Sequence, residues 1–98
     1  MSDVIELIDN INKDCDELNS MTENNDVDFD LIIKLVDSLD KLSNKAALIE
    51  NKNIDLVEYN EKLKLALDAF EEKDFNLFSD IMQYELKPLL EYWKDNIV

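Results

Sequence analysis

Apolar residues recur near the start of the chain at alternating steps of four and three: Val4, Ile8, Ile11, Cys15 and Leu18. That spacing draws one narrow stripe along an α-helix. Ser2 stands where an N-cap belongs, and the pattern predicts a helix over 3–21. The stretch from Asn19 to Asp26 turns polar and reads as a link. A second helix, over 29–49, is predicted from Asp28 as its cap, with Val27 and Ile32 spaced as a hydrophobic staple. Phe29, Ile32, Val36, Leu39, Leu42 and Ala46 are read as its inner face, flanked by Ile33, Leu35 and Ile49.

After a link at Glu50 to Asn53, Asp55 and Glu58 stand three apart as a capping-box-like pair, bracketed by Ile54 and Tyr59. They open a third helix, over 56–72. Its expected core stripe is Leu56, Tyr59, Leu63, Ala66 and Phe70, with Leu67 beside it and Leu65 turned away. Asp74 is read as the cap of a fourth helix, over 75–95, whose inner face is Phe75, Phe78, Ile81, Met82, Leu89 and Trp93. Leu77 and Tyr84 fall about 100° or more from the centre of that face, and Leu90 falls on its other flank.

Short links between four helices imply antiparallel neighbours. The predicted fold is all-α: a single-domain, up-down antiparallel four-helix bundle over 1–98. Its last helix carries Pro88, the chain's single proline. A proline interrupts the i→i−4 ladder, so a kink or break is expected near residues 84 to 88. The carbonyl it frees at Tyr84 then needs water or a side-chain donor, which argues against full burial there.

Composition narrows the chemistry. Glycine is absent, so backbone positions needing positive φ are expected to fall to Asn or Asp. The chain carries 24 carboxylates against 10 lysines, with no arginine or histidine and a net charge of −14. Such a surface repels nucleic acid and anionic membranes, and suits basic proteins. The lone Cys15 lies in the first apolar stripe and reads as a buried hydrophobe. No signal pattern or membrane-length apolar run is present, which makes a cytoplasmic location the expectation. Abundant Asn, Lys, Ile and Asp would suit an AT-rich bacterial genome.

Without histidine, Ser–His and Cys–His nucleophile pairs and Glu-x-x-His di-iron motifs cannot be built, and no zinc site is expected. Asp26, Asp28 and Asp30 share the spacing of the first EF-hand ligands. Leu31 nevertheless stands where that loop needs glycine, and the segment reads as a helix start. Glu58 and Glu61 followed by Glu71 and Asp74 resemble the paired acidic motifs of all-helical nucleotide pyrophosphohydrolases, which would imply a magnesium site. The nine residues between the pairs fall short of that family's spacing. No catalytic, cofactor-binding or metal residues are therefore assigned.

The remaining function is interaction. Helix 4 is apolar around more of its circumference than the others. Leu77, Tyr84, Pro88 and Leu90 are the expected contact residues for a protein partner, a helical peptide or a second copy of the chain. An acidic rim around an apolar groove would suit a basic amphipathic peptide. A non-enzymatic adaptor, chaperone-like subunit or small regulator is the leading expectation. An acidic decoy of a nucleic-acid-binding protein is the alternative.

Overall fold

In the computed structural model, residues 2–49 and 54–97 are described, and they form four helices. These are α1 (Ser2–Glu23), α2 (Phe29–Ala46), α3 (Leu56–Glu71) and α4. Helix α4 runs without a break through Phe75–Ile81, a π-helical turn Met82–Leu86 and Lys87–Ile97. The link expected at Glu50 to Asn53 lies outside the described residues.

The helices form a ring in which each packs chiefly on two neighbours: α1 on α2 and α4, and α3 on α4 and α2. Cross-links between helices give the directions. Asp9 pairs with Lys94 at 2.6 Å and Asp16 with Lys87 at 2.5 Å, so α1 and α4 run antiparallel. Phe29 meets Phe70, and Leu39 meets Tyr59, so α2 and α3 do the same. The result is the up-down four-helix bundle that the pattern predicts, an elongated body of 40 × 21 × 19 Å.

The caps of α2, α3 and α4 form as the sequence suggests, whereas Ser2, expected as the cap of α1, is already its first residue. Asp28 accepts from the Asp30 N–H at 2.9 Å, Asp55 from Glu58 at 3.1 Å and Asp74 from Leu77 at 3.1 Å. Each carboxylate satisfies an orphan donor at the positive end of its helix. Two helix ends close through Schellman motifs. Asp26 N–H donates to Met21 O with Asn25 at φ 56°, and Asp74 N–H donates to Ala69 O with Lys73 at φ 59°. Asn25 follows the expectation for a glycine-free chain. Lys73 departs from it, because the chain must turn at once into the cap of α4.

Helix α1 is longer than predicted. Residues 19–23 remain helical, with the Thr22 hydroxyl donating to Asn19 O and Met21 packed against the core. Helix α2 is shorter and ends at Ala46. The α1 stripe of Val4, Ile8, Ile11, Cys15 and Leu18 is buried throughout.

The expected kink takes the form of a π-helical turn. The Lys87 N–H donates to Met82 O, five residues back, immediately before Pro88. A π turn advances each residue by about 80° instead of about 100°, so over the five residues Met82–Leu86 the segment beyond it rotates by roughly 100° in total. This rotation corrects one expectation. Leu90, read as a partner-contacting flank, is carried to the centre of the inner face and is fully buried. The same rotation leaves Leu89 at the edge of the core, 8% exposed.

Candidate functional site: an apolar groove between α2 and α3

Helix α2 turns Ile32, Leu35, Leu39, Leu42 and Ala46 fully inward, and Leu31 lies at their edge. Taking Leu35 as the centre of that face, Phe29, Ile33, Val36 and Asp40 all lie about 100–160° round one flank. Phe29 and Ile33 are accordingly 49% and 47% exposed. Phe29, expected on the inner face, lies instead on this flank, Val36 sits half-buried against the edge of the core, and Leu35 is the centre of the face. Helix α3 seats Tyr59, Ala66 and Ala69 in the core and leaves Leu63, Leu67 and Phe70 half-buried on the side facing α2.

Between these two flanks runs an open groove of about 460 Å³, lined by Ile33, Val36, Asp37, Asp40, Leu63, Leu67 and Phe70. The α2–α3 seam is the least closely packed of the four, and it is fastened at both ends. At one end the Phe29 and Phe70 rings stack with centroids 5.9 Å apart. Phe75 meets Phe29 edge-on at 5.8 Å. At the other end the Tyr59 hydroxyl donates to the Leu39 carbonyl over 2.7 Å, and the Tyr59 ring packs on Trp93 at 5.1 Å. Between these fastenings Ile33 and Val36 on α2 face Leu63 and Leu67 on α3 across the open groove.

The groove floor is apolar, and α2 supplies both rim carboxylates. Asp37 pairs with Lys41 at 3.0 Å on the solvent side. Asp40 makes no ion pair among the described residues. It stands close enough to Tyr59 to help raise that phenol's pKa. The chief cause there is burial, partly offset by the neighbouring Ser43 hydroxyl, and together they push Tyr59 up to about 12.

Of the contact residues expected on α4, Leu77 is 44% exposed and Tyr84 70% exposed, and Pro88 is also exposed. Tyr92, which the sequence reading passed over, joins them at 51% exposed. Placed at i, i+7, i+11 and i+15, they form a stripe along the outside of α4. The outward helix face is where Tyr92 would have been found, had the π turn been included in the count.

The acidic constellations do not assemble. Glu58 and Glu71 lie on α3 thirteen residues apart, about 20 Å along the axis. Asp74 is occupied as a cap, and Glu58 lies 4.0 Å from Lys62. Asp28, from the EF-hand-like spacing, caps α2. No cluster of three or more potential metal-ligating side chains occurs among the described residues. Cys15 is buried, and burial pushes its thiol up to about 12 against the opposing pull of Lys87, so it is unreactive at neutral pH. Among the described residues, no helix is long and apolar enough to cross a membrane.

Residues 1–96 match the family model described as a domain of unknown function (DUF8042), and the chain belongs to that family. No curated protein and no solved structure matches the chain.

Proposed function

We propose that this DUF8042 member is a non-enzymatic, cytoplasmic protein-interaction module that receives its partner in the α2–α3 groove. An adaptor, a chaperone-like subunit or a small regulator would all use the bundle in this way. The observation that carries the reading is the preformed apolar groove, open along its length and fastened by Phe29–Phe70 and Tyr59–Leu39 at its ends. Exposed Ile33 and half-buried Leu67 contribute apolar surface there without packing against the core. A sequence free of histidine and arginine has no imidazole base and no bidentate phosphate clamp, which favours a binding role over catalysis.

The outer stripe of α4 is the second apolar surface. It lies along a single helix, whereas the groove is concave and has walls on two helices. Concave sites desolvate an anchor side chain more completely, which is where interface energy concentrates. The groove is therefore assigned as the principal contact.

Site-specific photo-cross-linking in the source cell tests this assignment. A photoreactive residue would replace Ile33 in one variant and Tyr84 in another, with exposed Leu48 as a control. The expected outcome is one discrete protein adduct from position 33 and none from position 48. Equal labelling at all three positions, or an adduct from position 84 alone, would overturn it.

A further inference from the structure

Resting on the interaction reading, we infer that the occupant of the groove is a single basic amphipathic helix from another protein. It would lie along the α2–α3 seam as a fifth helix.

The groove's shape sets the length. From Ile33 to Asp40 the lining of the α2 wall covers seven residue steps, about 10 Å, which is two turns of a helix. The floor is a channel between two antiparallel helices, with Ile33 and Val36 on one side and Leu63 and Leu67 on the other. A strand could not use it, because both walls are helices whose backbone N–H and C=O groups are already paired. A helix placing apolar side chains at i, i+3, i+4 and i+7 fits such a channel and buries the four floor residues.

Charge selects the kind of helix. The rim carboxylates Asp37 and Asp40 flank the floor on the α2 side, and Asp40 is without a cation among the described residues. The whole chain carries −14, so the field reaching an approaching partner is strongly negative. A second copy of this chain would bring another −14 to the same seam and place its own Asp37 and Asp40 against these. Like charges brought together in this way are a strong penalty, so self-association through the groove is disfavoured. Lysine or arginine flanks on the incoming helix would instead pair with Asp37 and Asp40, while their stems cover the edges of the apolar floor.

The test uses the full chain and three synthetic eighteen-residue peptides, titrated by calorimetry at two salt concentrations. The first is helical, with Leu at the i, i+3, i+4, i+7 positions and Lys or Arg on the flanks. The second keeps the Leu positions and carries Glu flanks. The third is a scramble of the first that preserves charge and destroys the apolar stripe. The first peptide is expected to bind at least tenfold tighter than either control. Binding should fall only a few-fold between 50 and 500 mM salt, because the apolar floor supplies most of it. Ile33→Ser with Leu67→Ser should weaken it at least tenfold, while circular dichroism confirms an intact bundle. Asp37→Asn with Asp40→Asn should weaken it by roughly three- to tenfold.

Equal binding by the scramble would overturn the inference in favour of charge attraction alone. Equal binding by the Glu-flanked peptide at the groove would overturn the basic occupant while leaving the interaction module standing. No binding by the first peptide, with a cross-linked adduct at position 33, would separate failure of this inference from failure of the functional reading. A dimer that forms in solution and is lost with Ile33→Ser would overturn it in favour of a second copy.

Discussion

The Tyr59 hydroxyl donates to the backbone carbonyl of Leu39 over 2.7 Å, in the core where Tyr59 has no exposed surface. A carbonyl has two lone pairs, so it can accept from Tyr59 without giving up its helical partner. The bond therefore fastens α3 to α2 at no cost to the α2 ladder. Replacing Tyr59 by Phe keeps the ring against Trp93 and removes the hydroxyl, with this bond and its contact to Ser43. The expected loss is about 1 kcal/mol, read from urea unfolding followed by circular dichroism. An unchanged midpoint would mean the fastening contributes nothing.

Alkaline pH should weaken the fold. Burial holds Tyr59 at about 12 instead of 10.0 and Cys15 at about 12 instead of 9.0. Both are neutral when protonated, and both keep their protons in the folded state where the unfolded chain has released them. The unfolded state then binds fewer protons, so stability falls as pH rises through the interval from 9 to 12. Lys87, raised chiefly by its hydrogen bond to Asp16, acts in the same sense. The effect of Tyr59 and Cys15 together should be on the order of several kcal/mol by pH 12, with little added by the solvent-screened Lys87. Urea titrations at pH 8 and pH 11 should show a clear drop at the higher pH, and Tyr59→Phe should reduce it.

The π turn makes Leu90 and Tyr84 behave oppositely. Leu90→Ala removes a fully buried side chain and should cost about 2–5 kcal/mol. Tyr84→Ala, at a 70% exposed position, should stay within about 0.5 kcal/mol. An uninterrupted α-helical register would place Leu90 on a flank and shrink the difference. Thermal unfolding of the two variants, followed through the buried Trp93, measures it directly.

Lys73 sits in left-handed backbone at φ 59°, where a Cβ is unfavourable. Lys73→Gly should relieve that strain and stabilise the fold by about 1 kcal/mol, or roughly 4–8 °C in Tm for a domain of this size. Any destabilisation would show that the Lys73 side chain contributes more than its backbone costs.

The sequence showed most of the fold and little of the site, for a physical reason. Helix starts are local events, so Asp28, Asp55 and Asp74 could be read as caps from their neighbours alone. The four bundle helices likewise follow from stripes such as Val4 to Leu18. Rotation of a helix about its axis depends on partners far away in sequence. Phe29 and Val36 fit the inner face of α2 as well as Leu35 does until α3 is placed beside them. Leu90 fell on the wrong side because Pro88 announced a disruption without saying that it would be a π turn. The groove could not be seen in either helix separately, since Ile33 and Leu67 each look like scattered exposed apolar residues. Their proximity is a property of the seam.

The most direct measurement of the central claim is a map of where the basic amphipathic peptide lands, by amide and methyl NMR shifts on the labelled chain. Shifts are expected to concentrate on Ile33, Val36, Leu63 and Leu67, with Asp37 and Asp40 on the same edge. Shifts concentrated instead on Leu77, Tyr84 and Tyr92, or spread evenly over the acidic surface, would contradict it.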